Sequence, residues 1–115
     1  MTDRFRPALV ALFWLALAFA VVMALLPKPP HLLELRDKWQ HMLAFATLAG
    51  LARFAFPQAP NLRIAERLSF TGALIEVLQA IPALHRDCDI LDWVADTAAI
   101  LIALALIRAF GGPRN

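Results

Sequence analysis

Charged and polar side chains placed beside or inside apolar stretches are the residues of this chain best suited to chemistry. Basic side chains there would recognise phosphate or carboxylate groups, and carboxylates would hold amines or hydroxyls. An imidazole or a carboxylate in a low dielectric could also transfer protons. Eight residues form this candidate ligand-binding set: Asp37, Lys38, His41, Glu76, Gln79, Arg86, Asp92 and Asp96.

Helical spacing places these residues on three polar faces. On a helix, positions three or four residues apart share a face. Three such stripes of polar or small residues occur: Asp37, His41, Ala44 and Leu48; Gly72, Glu76, Gln79 and Ala83; and Asp89, Asp92, Asp96, Ala99 and Ala103. We therefore expect the three stripes to converge on one site, with small residues allowing close helix approach.

Glu76 is the residue of this set that most needs a partner. It lies roughly six residues, about 9 Å, from the outer end of its predicted helix. An ionised carboxylate at that depth in a bilayer is costly unless it is paired or protonated. The sequence offers Lys38, His41 and Arg86 as partners.

The composition of the chain favours a membrane protein. Its 115 residues are 61% hydrophobic and only 17% charged, and the mean hydropathy is +0.65. These values exclude an ordinary cytosolic globule and a disordered tail. Cys88 is the single cysteine, which excludes a disulfide scaffold. The net charge is +2, and the arginines are scattered between apolar runs rather than clustered in a basic patch, so we expect no nucleic-acid partner.

Four hydrophobic segments predict an all-α fold, a compact bundle of four transmembrane helices. The predicted spans are about 7–27, 38–56, 68–83 and 90–108 of a single domain over residues 1–115. The first segment is longer than the usual core of a signal peptide and no Ala-x-Ala site follows it, so it is predicted to be retained.

The distribution of Lys and Arg predicts the orientation. Seven basic residues fall on the side of the two termini, and four fall on the opposite side. This excess favours cytoplasmic termini in a bacterial inner membrane, which places the polar residues in the outer half. Arg53, near the inner end of the second span, is interpreted as an interfacial anchor.

The polar residues resemble the motifs of the VanZ-like family of small integral membrane proteins. The similarity rests on the order and spacing of Asp37-Lys38-x-x-His41, Ile75-Glu76-x-x-Gln79, Arg86 and the stretch from Asp92 to Thr97, and it covers roughly residues 31–107. Relatives usually carry glycines where this chain has Ala98 and Ala99. The resemblance implies a compact helical membrane protein, and some relatives are linked to reduced susceptibility to teicoplanin.

Three functions remain open from the sequence. The first is a binding or envelope-modulating protein that holds a lipid headgroup or a lipid-linked envelope intermediate. The second is an enzyme on the same substrates, with candidate catalytic residues His41, Glu76, Asp92 and Asp96. The third is a small transporter or proton relay. We expect membrane lipids as partners and no metal or cofactor, and the sequence leaves the oligomeric state open.

Overall fold

Four α-helices form the fold in a computed structural model that describes residues 5–25, 34–80 and 90–112. They are α1 (Arg6–Leu25), α2 (Glu34–Ala55), α3 (Asn61–Gln79) and α4 (Ile90–Ala109). No described residue lies in a β-strand, so the all-α prediction is confirmed for this part of the chain. The bundle measures 44 × 24 × 21 Å, and a 20-residue helix is about 30 Å long.

The third helix begins earlier than the predicted span. Pro60 precedes it in an extended conformation, with φ −65° and ψ 148°, and helical geometry starts at Asn61 rather than near Leu68. The sequence prediction omitted these turns because they carry Arg63, Glu66 and Arg67, which lower the hydropathy but not the helix propensity. The predicted end of this span, at residue 83, lies outside the described residues.

Two glycines end α4. The amide of Gly112 donates to the carbonyl oxygen of Ile107 at 2.7 Å, and that of Gly111 donates to Arg108 at 3.3 Å. This pair of bonds is a Schellman motif, which requires a left-handed residue after the helix. Gly111 supplies it with φ 84°. A Cβ on Gly112 would lie 2.2 Å from Cγ2 of Ile107, so this position also needs glycine.

Helix α2 is the centre of the bundle and contacts each of the other three helices, most extensively α4. Its buried face includes Leu48 and Ala49, and α4 contributes the fully buried Ile100. Gly50 of α2 lies beside Ile107 of α4: a Cβ built on Gly50 would lie 3.9 Å from Cδ1 of Ile107. The core therefore lies along α2, between it and α4.

Two helices are long and apolar enough to cross a membrane: Arg6–Leu25 and Ile90–Ala109. In α1 only Phe13 and Ala24 are buried, so most of its apolar side chains face outward. This finding indicates an association with a membrane. Signal sequences and the core helices of soluble proteins can meet the same criterion of length and composition.

Candidate functional site

Three helices meet at Gly72, one turn before Glu76. A Cβ built on Gly72 would lie 3.4 Å from Cδ1 of Trp93 on α4 and 3.5 Å from Cζ of Phe45 on α2. These are ordinary van der Waals distances, so side chains of α2 and α4 pack directly against the backbone of α3 at this point. Helices α2, α3 and α4 thus meet within about one turn of the predicted polar stripes.

Glu76 and Asp96 are buried in this region. Their side chains are 8% and 5% exposed, and those of His41 and Asp92 are partly buried. All four take part in at least one polar, electrostatic or ring interaction. The helical faces expected to carry polar residues inward therefore do so for Glu76 and Asp96.

The relative positions of Glu76, Asp92 and Asp96 follow from the directions of α3 and α4. Ser69 on α3 is bonded to Thr97 on α4. Gly72, one turn later on α3, lies beside Trp93, which is one turn earlier on α4. The two helices are therefore antiparallel. Glu76 is displaced from the junction toward the start of α4, which carries Asp92. Helical side chains lean toward the N-terminus of their own helix. The side chain of Glu76 consequently leans toward the level of Gly72 and Trp93, and that of Asp96 leans toward the same level from the other side.

The remaining candidates lie at the edge of the described structure or beyond it. Asp37 and Lys38 are in the first turns of α2, and Gln79 is the last residue of α3, but the placement of these three side chains is outside the described structure. Arg86 lies outside the described residues altogether. The predicted pairing of Glu76 with Lys38, His41 or Arg86 stays a prediction.

Helices α3 and α4 are joined by two hydrogen bonds beside the carboxylates. The hydroxyls of Ser69 and Thr97 lie 2.9 Å apart, and Nε1 of Trp93 donates to the carbonyl oxygen of Ser69 at 2.9 Å. The sequence analysis did not identify this link. The signals were a tryptophan, whose indole N–H needs an acceptor when buried, and hydroxyl residues on two apolar helices.

The interpretation of Arg53 as an interfacial anchor is wrong. Its side chain is 0% exposed, and its guanidinium folds over the loop that joins α2 to α3. It donates to the carbonyl oxygens of Phe56 and Pro57, each at 3.1 Å, and also to the carbonyl of Ala59 and to Oδ1 of Asn61. The planar fork of arginine can serve several acceptors at once, which a snorkelling side chain would not do.

An open groove of about 1100 Å³ lies between α1 and α3, and its lining includes Ser69 and Thr97. Phe13, Trp14 and Leu17 form its α1 wall, and the α3 wall runs from Arg63 to Thr71. None of the eight candidate residues lines it. The sequence analysis missed this groove because it depends on how two distant segments pack together.

The described residues contain no group of three or more His, Cys, Asp or Glu side chains arranged to hold a metal ion. Comparison with protein-family models, with curated proteins and with solved structures finds no match to this chain. The resemblance to the VanZ-like family therefore stays a prediction from the motif residues.

Proposed function

We propose that this chain is a small VanZ-like protein of the bacterial inner membrane that binds a lipid headgroup or a lipid-linked envelope intermediate. In this proposal all four helices cross the bilayer, both termini are cytoplasmic, and the polar site faces outward. The observation that supports it best is an inverted distribution of polarity. Arg53, Glu76 and Asp96 are buried, whereas twenty large apolar side chains of the described residues are exposed.

This distribution suits a bilayer better than water. A soluble domain of this size would bury its large apolar side chains and expose its charges. In a membrane the outer surface must be apolar, and ionisable groups turn to the bundle interior. Six large apolar residues of α1 and six of α4 are exposed: Leu12, Trp14, Leu15, Phe19, Val22 and Met23; Ile90, Leu91, Val94, Leu101, Ile102 and Leu106.

The same reasoning supports α2 and α3 as membrane spans despite their lower hydropathy. Their polar residues lower the average, but Arg53 and Glu76 are buried and would not meet lipid. Helix α3 exposes Phe70, Leu74 and Val77 instead. Helix α2 contacts three neighbours, so less of its surface needs to be apolar.

The buried carboxylates support a binding role for the site. Glu76 and Asp96 come from two helices and lie in a low-dielectric interior, where a charge interacts strongly with an amine or a guanidinium. Lys38 and Arg86 are the cations that the proposal assigns to a phosphate, with the carboxylates holding them or binding hydroxyls. An effect on susceptibility to teicoplanin-type antibiotics is part of the proposal through the family resemblance alone.

Near-isosteric variants of the two carboxylates test this function. Glu76→Gln and Asp96→Asn remove a charge and keep the volume, so we expect the purified proteins to fold but to lose a lipid class that the wild type retains. The measurement is mass spectrometry of lipids extracted after purification in detergent, together with glycopeptide susceptibility of the host. Because an amide cannot bind a cation as a carboxylate does, at least a tenfold drop in retention is expected.

Arg108→Gln is the control, since it removes an exposed charge from α4, the helix that carries Asp96, and lies outside the polar site. It should lose no lipid class. A wild-type protein that retains no polar lipid, or site variants that retain the same lipids as the wild type, would refute the binding function. Conversion of the retained lipid by the wild type would show an enzyme instead.

The proposed topology has its own test in Cys88, the single thiol of the chain. Cys88 lies outside the described residues, in the segment between α3 and α4. If this segment faces outward, a membrane-impermeant maleimide will label Cys88 in intact spheroplasts. A cysteine placed at Ser69→Cys in the Cys88→Ala background should stay unlabelled, because it lies at the contact of α3 with α4. Labelling of Cys88 only after lysis would reverse the orientation.

A further inference from the structure

The groove between α1 and α3 has a charged end and an apolar body. Arg63 and Arg67 line it in the first turns of α3, four residues apart and both exposed. Further along the same helix the wall contains Phe70, which is 64% exposed. Across the groove α1 contributes Trp14 and Leu17. The two arginines therefore lie toward the start of α3, where Phe56, Ala59 and Ile64 also line the groove, and Phe70 lies further along the helix.

The dimensions of this arrangement match an amphiphile. From Arg63 to Thr71 the α3 wall rises about 12 Å, at 1.5 Å per residue. In a bundle with both termini at the cytoplasmic face, the start of α3 lies at the cytoplasmic surface and Thr71 lies deeper in the membrane. A ligand that fills the groove must therefore be charged at the surface and apolar in the interior.

The charges at the mouth of the groove select the sign of the ligand. Two arginines line it, and Glu66 is the one carboxylate among its lining residues. The net charge of the mouth is therefore positive. A guanidinium pair recognises phosphate by bidentate hydrogen bonds, and arginines near the cytoplasmic leaflet attract anionic lipids.

We propose that this groove binds an acidic phospholipid of the cytoplasmic leaflet. Its phosphate lies between Arg63 and Arg67, and an acyl chain runs along Leu17 and Phe70. This lipid site is separate from the outward-facing polar site, with which it shares no residue. It depends on the proposed function only in that α1 and α3 lie in the bilayer with the start of α3 at the cytoplasmic face.

A second copy of the chain is a poorer occupant. It would have to bring an anionic group to the paired arginines of the first copy, and the exposed surface of α1 offers none among the described residues. The aliphatic and aromatic walls together with the two arginines match one phospholipid without a further partner.

The experiment is a titration of the purified chain with phosphatidylglycerol or phosphatidylcholine of identical acyl chains, followed by native mass spectrometry at low salt. Each arginine should favour the acidic lipid roughly fivefold, and Glu66 should offset one of them. We expect the wild type to prefer phosphatidylglycerol about fivefold. Arg63→Gln with Arg67→Gln should reverse the preference to about fivefold in favour of phosphatidylcholine, because Glu66 remains, whereas Glu66→Gln should raise the preference for phosphatidylglycerol to about 25-fold.

Two controls locate the site. Arg108→Gln removes an exposed arginine at the same end of the bundle but outside the groove, and it should leave the preference unchanged. Thr71→Phe fills the deep part of the groove and should lower the binding of both lipids by at least tenfold. Millimolar inorganic phosphate should not displace the lipid, because it lacks the apolar chains.

Several outcomes would overturn the inference. They are equal binding of the two lipids by the wild type, a preference that survives removal of both groove arginines, and displacement of the lipid by inorganic phosphate. A dimer that disappears in Thr71→Phe would show a second copy in the groove. Glu76→Gln should leave phosphatidylglycerol binding unchanged, so failure at this groove and failure of the outward site are separate results.

Discussion

The buried arginine and the buried carboxylates differ in how far apart along the chain the segments around them lie. Arg53 meets acceptors that all lie within eight residues of it along the chain, in the loop after α2 and at the start of α3. Glu76 and Asp96 lie on helices α3 and α4, near a junction that also includes α2. One arrangement is local, and the other depends on the packing of three helices.

The comparison predicts which polar group stabilises the fold and which would serve the proposed ligand. Arg53 donates to carbonyls of the loop that follows α2, where no helix supplies their donors, although the carbonyl of Phe56 also accepts from the amide of Ala59 at 3.0 Å. A carboxylate in the bundle gains no comparable set of backbone donors from α3 or α4, because helical amides are already bonded. We therefore expect stability to depend on Arg53 and ligand recognition to depend on the carboxylates.

The largest effect should come from Arg53→Ala. This variant leaves three loop carbonyls and Oδ1 of Asn61 without the donor that now serves them. Each buried acceptor left unsatisfied costs roughly 1–3 kcal/mol, so we expect the free energy of unfolding to fall by about 3 kcal/mol or more. Thermal unfolding of the purified protein in detergent, followed by circular dichroism, measures the loss.

Arg53→Lys and Glu76→Gln should have an intermediate and a small effect on the free energy of unfolding, and together they test the comparison. Lysine keeps the charge and has three donors but lacks the planar fork, so we expect a loss of about 1–2 kcal/mol. Glu76→Gln should cost less than about 1 kcal/mol, because an amide of the same shape avoids burying a charge. If Glu76→Gln destabilises the protein as much as Arg53→Ala, the two regions do not differ as proposed.

The smallest effect concerns the hydroxyl pair between α3 and α4. Ser69→Ala removes the bond to Thr97 but leaves the carbonyl of Ser69 for Trp93, so the expected loss is about 0.6 kcal/mol. Thr97→Val should give a similar value, and a double-mutant cycle should show that the two losses are coupled. Thr71→Ala is the matched control, since the hydroxyl of Thr71 bonds only within α3, to Arg67. An uncoupled pair would mean that this bond contributes nothing to helix association.

The first and last helices could be predicted from the sequence because long apolar runs identify α1 and α4 directly. The start of the loop between α2 and α3 was also predictable, since Pro57 follows the end of the second segment, but α3 begins at Asn61, earlier than the predicted span. The inward placement of Glu76 and Asp96 followed from helical spacing and the cost of charge in hydrocarbon. The four-span topology, the ligand and the family stay predictions.

The structure shows two features that hydropathy does not predict: the contacts of Arg53 and the groove between α1 and α3. Arg53 was interpreted as a surface residue because an arginine near a span end usually reaches the interface. Its actual acceptors are backbone carbonyls, which every residue has and no sequence pattern marks. The groove between α1 and α3 was missed for a related reason, since its walls come from segments more than forty positions apart and are set by tertiary packing.

The central position of α2 has a consequence for biosynthesis. Helix α2 makes its most extensive contacts with α4, yet α4 is translated only after the whole of α3. While α3 is being made, α2 has α1 as its neighbour, and the face of α2 that packs against α4 is still uncovered. In the proposed four-span topology, insertion of α2 and α3 should therefore be completed only after α4 has been made. A nascent chain that stalls before α4 would be a substrate for membrane proteases.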